Sequence, residues 1–192
     1  MPRSKAYNKD EVLEKAMQVF WNHGYEATSV RLLEKEMGIN QFSIYASFDN
    51  KKKLFIEALK KYREFVKNKR FQPLLRENAR LSDLKKFFDS IIRQGKQEET
   101  KRGCLVVNTT GELGNRDSEI ASELQHYFNF IREMIKKVLR NSVDAGEISE
   151  EADLEKYSNY LLGVMQGLSV GEKILTEKQV KDIIDMTFLN IK

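Results

Sequence analysis

The chain is poor in the residues on which several classes of protein depend. One cysteine among 192 residues rules out an intramolecular disulfide framework and fits a reducing cytoplasm. Two prolines leave room for long, uninterrupted helices. No apolar run approaches the roughly 20 residues that a membrane-spanning helix needs, and residues 1–10 lack the apolar core of a signal peptide. We therefore expect a cytoplasmic, mainly helical protein that has no membrane segment.

Signals of catalysis are also scarce. The two histidines, His23 and His126, do not stand at metal-binding spacing from another ligand. Neither a P-loop nor a dinucleotide-binding glycine fingerprint occurs, and the carboxylates are scattered along polar helix faces. We expect no metal, no cofactor and no enzymatic activity. A small-molecule enzyme on a helical scaffold stays an alternative, which turnover of a ligand would reveal.

Charge is distributed unevenly along the chain. Residues 1–70 hold 15 Lys and Arg against 9 Asp and Glu, a balance of +6, whereas residues 71–192 carry a balance of −2. A basic N-terminal third on a slightly acidic body is typical of a protein that binds nucleic acid at one end.

The stretch Thr28–Leu54 is the most informative part of the sequence. Apolar residues at helical spacing predict a short helix, which Thr28 and Ser29 can cap. Gly38 favours a tight turn, and Asn40 can cap a second short helix. Two helices joined in this way form a helix-turn-helix, whose second helix enters the DNA major groove. The alternative is a protein-interaction module in which this corner is only structural.

Three lysines, Lys51 to Lys53, occupy the first turn of the next helix, which Asp49 or Asn50 can cap. Cations are unfavourable there because a helix N-terminus already carries about half a positive charge. We expect an anion opposite them, and a DNA phosphate is the natural candidate. The alternative is a charged run that simply faces water.

These residues resemble the DNA-binding domain of the TetR family of bacterial transcriptional regulators over about residues 8–60. The matching features are Gly24-Tyr25 after the first helix, Gly38-Ile39 at the turn, and the run Ile44-Tyr45-x-x-Phe48-x-x-Lys51-x-x-Leu54. The segment Gly103–Asn108 is similar to part of the regulatory domain in one branch of the family. The resemblance implies a sequence-specific DNA-binding transcriptional regulator, most often a ligand-responsive repressor that binds a palindromic operator as a homodimer.

Two residues depart from the family pattern. Phe42 stands where the family usually has glycine, and Glu34 stands where it often has alanine. Because Phe42 adds bulk to the recognition helix, we expect its docking distance or base preference to differ from that of a typical member.

Helical periodicity continues beyond Leu54 and predicts an all-α fold of about nine helices. After the first three, the predicted helices cover about residues 51–71, 82–95, 103–113, 117–143, 153–170 and 179–191, with a break at Gln72-Pro73. We expect a helix-turn-helix DNA-binding domain at 1–50 and a connecting helix at 51–71. By resemblance, residues 72–192 form a larger ligand-binding and dimerisation domain that receives a small-molecule inducer.

The candidate contacts to double-stranded DNA lie on the helix-turn-helix and at the start of the helix after it. They are Thr28, Ser29, Asn40, Gln41, Phe42, Ser43, Tyr45 and Lys51. Gln41 and Ser43 are expected at base edges, and Phe42 against a thymine methyl group. Lys51 and Tyr45 are expected at phosphates.

The candidate ligand contacts are aromatic, polar and sulfur-containing residues on helices that are expected to face one another. They are Tyr62, Phe65, Phe87, Cys104, Asn108, Tyr127, Ile131 and Met165. Such residues at helical spacing are more often plain core. For Cys104 two interpretations stay open: a small buried apolar residue, or a thiol sensor activated by Lys101 and Arg102.

A dimer is expected on physical grounds, because one recognition helix reads only about three or four base pairs. Gly163 and Gly167 stand four residues apart on one helix, and each interior glycine costs about 1 kcal/mol relative to alanine. We expect the last helix to approach them closely and a two-fold copy to complete a four-helix interface. The candidate interface residues are Gly163, Gly167, Val180, Ile184 and Phe188. The alternative is that the glycines face the core of their own subunit.

Overall fold

The computed structural model describes residues 7–94, 102–189 and 191, and within them the chain forms helices and no strand. Ten helices occur in this part of the chain: α1 Lys9–His23, α2 Val30–Met37, α3 Gln41–Phe48, α4 Lys51–Lys69, α5 Gln72–Leu75, α6 Leu81–Gln94, α7 Leu105–Leu113, α8 Ser118–Asp144, α9 Leu154–Gly171 and α10 Glu177–Leu189. The all-α class is confirmed, with one helix more than expected. Gly95, the expected end of α6, lies outside the described residues.

The additional helix is α5, where the sequence predicted only a break. Pro73 lies in its first turn, where the missing amide hydrogen would have no helical partner in any case. Phe71 and Leu74 are 3% and 1% exposed, so burial of these two side chains holds the single turn against the core.

Side-chain caps fix where most of the helices begin. Asn8, Ser29, Asn40, Asn50, Asp117 and Asp153 each accept a hydrogen bond from a backbone N–H in the first turn of the helix that follows. Such caps contribute about 1 kcal/mol each, because those N–H groups have no carbonyl partner within the helix. For α4, Asn50 rather than Asp49 is the capping residue.

Helix α4 joins the N-terminal helices to the rest of the protein. It packs against α1 and α3 on one hand and against α5, α7 and α8 on the other. Leu54, Phe55, Leu59 and Tyr62 are at most 1% exposed, so one continuous core runs along α4 from one part of the protein to the other. None of the helices that the structure describes is long and apolar enough to cross a membrane.

Candidate nucleic-acid interface

Helices α2 and α3 form the expected helix-turn-helix. Gly38 ends α2 with φ 74° and ψ 23°, a left-handed conformation that only glycine adopts at little cost. The Asn40 side chain then accepts a hydrogen bond of 2.9 Å from the backbone N–H of Ser43, which fixes the start of α3. This turn sets the direction in which α3 leaves α2.

Helix α3 is anchored on one face and open on the other. Ile44 and Phe48 are 0% and 4% exposed, whereas Phe42 is 83% exposed and Gln41 is also on the surface. The Tyr7 hydroxyl donates to the Ser43 carbonyl at 3.0 Å, so the segment before α1 is tied to α3. A helix held this way presents its N-terminal residues to a groove without moving its apolar face.

The Glu34 departure has a local structural role. Its carboxylate accepts a hydrogen bond of 2.6 Å from the backbone N–H of Gln41, the first residue of α3. A carboxylate at a helix N-terminus is favourable, because it pairs a free N–H and complements the helix dipole. Alanine at this position could not provide that bond.

Thr28 and Ser29 lie in different environments. The Thr28 side chain is fully buried and donates to the Gly24 carbonyl at 2.6 Å, so it is not available to a phosphate. Its expected place on the DNA surface is therefore corrected. Ser29 is exposed and caps α2 through the N–H of Leu32, at 3.1 Å.

The three lysines in the first turn of α4 do not share one role, contrary to the sequence-based prediction. The Lys52 ammonium lies 3.2 Å from Asp117 and 2.8 Å from Glu119, and Lys53 lies 2.8 Å from Glu119. The anions opposite these two lysines are carboxylates at the start of α8. The Lys51 ammonium instead lies over the Tyr25 ring, 4.4 Å from its centre. Among the three, Lys51 is the one left for a phosphate.

The ionisation of these groups follows their surroundings. Burial lowers the pKa of Lys51, and hydrogen bonds to Glu119 and Asp117 raise the pKa of Lys52. The pKa of Asp117 is lowered, first by the backbone N–H of Ile120, and that of Glu119 is lowered, first by Lys52. Asp117 therefore serves the start of α8 and the start of α4 together, whereas Glu119 binds the start of α4.

A second link joins α7 to the turn after α1. The Glu112 carboxylate accepts hydrogen bonds from the backbone N–H groups of Tyr25, at 2.9 Å, and Glu26, at 2.6 Å. Gly24 has φ 78°, and a Cβ atom there would lie 2.8 Å from a Glu112 oxygen, so a larger residue would displace this carboxylate. The turn after α1 and helix α7 are therefore in close contact through the Glu112 carboxylate.

A third link runs from α1 to the segment before α7. The Trp21 indole N–H donates to the Gly103 carbonyl at 2.9 Å, in a buried position. The Arg102 guanidinium stacks 4.1 Å from the Trp21 ring centre and donates to Gln18 and Asn22, each at 2.8 Å. Arg102 and Gly103, which immediately precede Cys104 in the chain, thus both bind α1.

A cavity of about 50 Å³ lies beside these links, between α4, α6, α8 and α9. Six of the eight candidate ligand contacts line it: Tyr62, Phe87, Cys104, Tyr127, Ile131 and Met165. Burial, followed by the nearby Cys104, raises the pKa of Tyr62 and of Tyr127 well above the usual range. Both phenols therefore keep their protons at neutral pH.

Two candidate ligand contacts lie elsewhere. Phe65 packs against Trp21, with ring centres 6.0 Å apart, outside the cavity wall. The Asn108 amide donates to the Arg102 carbonyl at 2.7 Å and accepts from Lys173 at 2.8 Å, so it holds the chain before α7. The cavity wall also includes Arg70 and Glu172, which sequence reasoning missed, since both sit at helix ends without a periodic signal.

Cys104 is 8% exposed, and its sulfur lies 3.6 Å from the Tyr127 hydroxyl. Arg102 is turned towards α1 through its bonds to Gln18 and Asn22, so its charge is committed there. Lys101 lies outside the described residues. This placement agrees with the first of the two interpretations, a small residue packed in the interior.

The residues expected at a dimer interface divide into two groups. Val180 and Ile184 are 4% and 0% exposed and face their own subunit, and Phe188 packs on Phe88 with ring centres 5.3 Å apart. Val180 and Ile184 are corrected to core positions, because α10 turns that face towards α6, and Phe188 lies partly buried at its edge.

Gly163 and Gly167 of α9 lie on the surface instead. A Cβ atom placed on Gly163 or Gly167 would meet no described atom within 4 Å, so α10 does not approach them and neither faces the core. Large apolar side chains are exposed nearby in sequence: Tyr160 and Val170 on α9, Ile174 in the turn after it, and Ile183 on α10.

One hydrolase-like pattern was overlooked in the sequence, Gly-x-Ser-x-Gly at residues 167–171. In hydrolases this pattern forms a sharp turn between a strand and a helix, which exposes the serine. Here it lies within α9, and the Ser169 hydroxyl donates to the Met165 carbonyl at 3.0 Å. The geometry does not present a nucleophile.

Two family models match the chain. The model of the bacterial regulatory proteins of the tetR family matches residues 12–58, and the model of the tetracyclin repressor-like C-terminal domain matches residues 81–184. The HTH-type transcriptional repressor ComR of Escherichia coli (strain K12) is 30% identical over 172 residues, which cover 89% of this chain and 82% of ComR. YezE of Bacillus subtilis (strain 168), an uncharacterized HTH-type transcriptional regulator, is 24% identical over 97% of both chains.

Solved structures share the whole fold. A cysteine mutant of the TetR-family regulator CifR, complexed with 26-bp double-strand operator DNA, has a TM-score of 0.83 at 24% identity and covers 99% of this chain and 100% of its own. The reduced form of E. coli NemR has a TM-score of 0.84 at 14% identity, with 95% and 96% covered. The helix-turn-helix thus stands in the same place as in proteins of one family, and the chain belongs to the TetR family of bacterial transcriptional regulators, whose members bind DNA.

Proposed function

We propose that the protein is a ligand-responsive repressor that binds a palindromic operator as a homodimer and acts by binding rather than by catalysis. The observation that carries this proposal is helix α3, which exposes Gln41 and Phe42 while Ile44 and Phe48 hold it in the core. The 30% identity to ComR, which is named a repressor, supports repression. A protein that binds chromosomal DNA works in the cytoplasm.

The proposed DNA surface consists of α3 and the start of α2, within a DNA-binding domain at residues 1–50, together with the start of α4 in the connecting helix at 51–71. Gln41 and Ser43 would read base edges, since they lie in the first turn of the helix that enters the groove. Phe42 would contact a thymine methyl group. Lys51 would contact a phosphate. Tyr45, Ser29 and the first turn of α3, which Asn40 caps, would be further groups that face the DNA backbone.

The proposed dimer surface is the exposed apolar face of α9 and α10. Gly163 and Gly167 would allow a partner helix to approach closely, and Tyr160, Val170 and Ile183 would be covered. Gly167→Leu fits the isolated subunit, because Gly167 is exposed and a Cβ atom there would meet no described atom within 4 Å. We expect a folded monomer in sedimentation, with palindrome affinity close to that for a half-site.

Gln125→Leu is the matched control for that variant, since it adds the same side chain to an exposed position of α8. It should stay dimeric and bind the palindrome normally. A Gly167→Leu protein that also stays dimeric and binds normally would contradict the proposed dimer surface.

The proposed response to a ligand rests on the cavity and its links to the DNA-binding domain. Cys104 lines the cavity, and the adjacent Gly103 carbonyl holds Trp21 of α1. A ligand that prefers a wider-spaced dimer would shift the population towards it and move the two α3 helices out of register with the operator.

DNA binding is tested by anisotropy with labelled duplexes at increasing salt concentration. For a groove-binding dimer with several phosphate contacts, the logarithm of the binding constant should fall linearly with the logarithm of the salt concentration, with a slope near 0.9 per phosphate neutralised. Binding that is absent or independent of salt would favour a protein-interaction module instead.

A further inference from the structure

The cavity wall contains two charged side chains that the fold itself does not use. Arg70 caps the end of α4, and Glu172 caps the end of α9, and both line the cavity. Neither charged group makes a side-chain hydrogen bond or ion pair with another residue of the described ranges, although each feels the charge of the other. Arg70 is only partly buried, so its guanidinium is solvated by water and is available to a ligand that enters the cavity.

The remainder of the wall is aromatic. Phe71 and Phe87 lie with ring centres 5.3 Å apart, and Tyr127 and Phe128 lie 5.7 Å apart at a steep angle. Such a wall favours a flat apolar group, which can stack on one ring and meet the edge of another. The volume of about 50 Å³ is smaller than the roughly 150 Å³ that holds a benzene ring, so side chains of the wall must move aside to admit an aromatic ligand.

Three of the polar groups of the wall, those of Arg70, Tyr62 and Tyr127, can donate hydrogen bonds to a ligand. The Arg70 guanidinium is permanently charged and carries five N–H groups. Tyr62 and Tyr127 keep their phenolic protons, because burial raises the pKa of both. Burial also raises the pKa of Glu172, against the opposing effects of Arg70 and Lys173, which weakens the one acidic charge that could attract a cation.

We propose that the cavity binds a small aromatic carboxylate, with its ring between the aromatic side chains and its carboxylate on Arg70. A carboxylate matches the planar guanidinium with two parallel hydrogen bonds, which a neutral amide cannot reproduce. This inference rests on the proposed ligand response and names the chemical class that would produce it.

Benzoate is the probe that tests this proposal on the full-length protein, with benzamide and benzylamine as the neutral and cationic analogues. Calorimetry should detect saturable binding of benzoate and at least tenfold weaker binding of both analogues. Trp21, the single tryptophan, offers a second readout, because its ring centre lies 4.9 Å from that of Tyr62 in the cavity wall. Binding should therefore change its fluorescence.

Variants separate the role of Arg70 from a general effect of charge. Arg70→Gln should weaken benzoate binding about 10- to 100-fold, the range expected for lost charge-assisted hydrogen bonds. Arg70→Lys should recover part of the affinity, since the charge remains and the fork is lost. Lys69→Gln is the matched control, because it removes a neighbouring cation that is exposed and outside the wall, and it should bind benzoate normally.

Several results would overturn the proposal. They are no heat of benzoate binding, equal binding of benzamide, preferred binding of benzylamine, or unchanged affinity in a folded Arg70→Gln protein. DNA binding is measured on the same preparation without any probe. If the duplex binds and benzoate does not, only the ligand class fails, whereas loss of DNA binding by the unmodified protein contradicts the proposed function itself.

Discussion

Replacing Glu112 by alanine removes the carboxylate that ties α7 to the turn after α1. Two backbone N–H groups lose their acceptor, that of Tyr25 at 2.9 Å and that of Glu26 at 2.6 Å. A hydrogen bond to a charged group contributes roughly 1.5–3 kcal/mol when it is removed from water. The Tyr25 bond is partly buried and carries most of this value, because water can replace the exposed bond to Glu26.

We therefore expect the Glu112→Ala substitution to lower the free energy needed to open this turn by roughly 1.5–3 kcal/mol. Native-state hydrogen exchange measures this directly, and the Tyr25 amide should exchange about 10- to 150-fold faster. In Glu112→Gln the Tyr25 amide should exchange at a rate between those of the unmodified protein and Glu112→Ala. One terminal atom of the glutamine is a donor, which cannot accept a hydrogen bond from an N–H group.

The control is Glu150→Ala, which removes an exposed carboxylate in the turn before α9. It should change stability by less than about 0.5 kcal/mol and leave Tyr25 exchange as it was. If Tyr25 exchanges at the same rate in Glu112→Ala as in the control, the link between α7 and the DNA-binding helices does not hold the turn, and the reasoning from these two bonds is refuted.

Four further outcomes concern the DNA surface and its acid sensitivity. Lys51→Ala should weaken binding to all duplexes about equally and lower the salt slope by roughly one, and a changed base preference would exclude a phosphate role. Gln41→Ala should cost about 1–3 kcal/mol at one base-pair position and little at others, as competition with single-base variants measures. Phe42→Gly should relax preference at one A·T position in the same assay, and unchanged binding would leave Phe42 without a DNA role. The fold lowers the pKa of Asp117 and of Glu119 below their ordinary values of 3.8 and 4.5. Their contribution to stability is therefore present above about those pH values and is lost as the pH falls below them. Urea titrations across pH 6 to 3 would measure this loss.

The helix-turn-helix could be predicted from the sequence because its determinants are local. Gly38 and Asn40 act within four residues of their own positions, and periodic apolar residues mark the buried faces. The partners of Lys52 and Lys53 could not be predicted, since Glu119 lies 66 residues after Lys53 and reaches it only through the packing of α8 on α4.

The surface of α10 also depends on packing rather than on pattern. Ile183 and Ile184 are adjacent apolar residues, and the sequence alone does not say which one faces inward. In the structure Ile184 is 0% exposed and Ile183 is 38% exposed, because α6 covers one side of α10 only. The cavity was predicted in part for the same reason: residue type and helical spacing found six of its residues, while Arg70 and Glu172 enter it from helix ends.

Selection of binding sites from a pool of random duplexes tests the central claim most directly. The account predicts enrichment of an inverted repeat whose half-sites are spaced for two recognition helices on the same side of the duplex, with an even number of chains bound per site in sedimentation. Recovery of no preferred sequence, or of a single half-site without symmetry that binds one chain, would contradict the proposal of a dimeric, sequence-specific repressor.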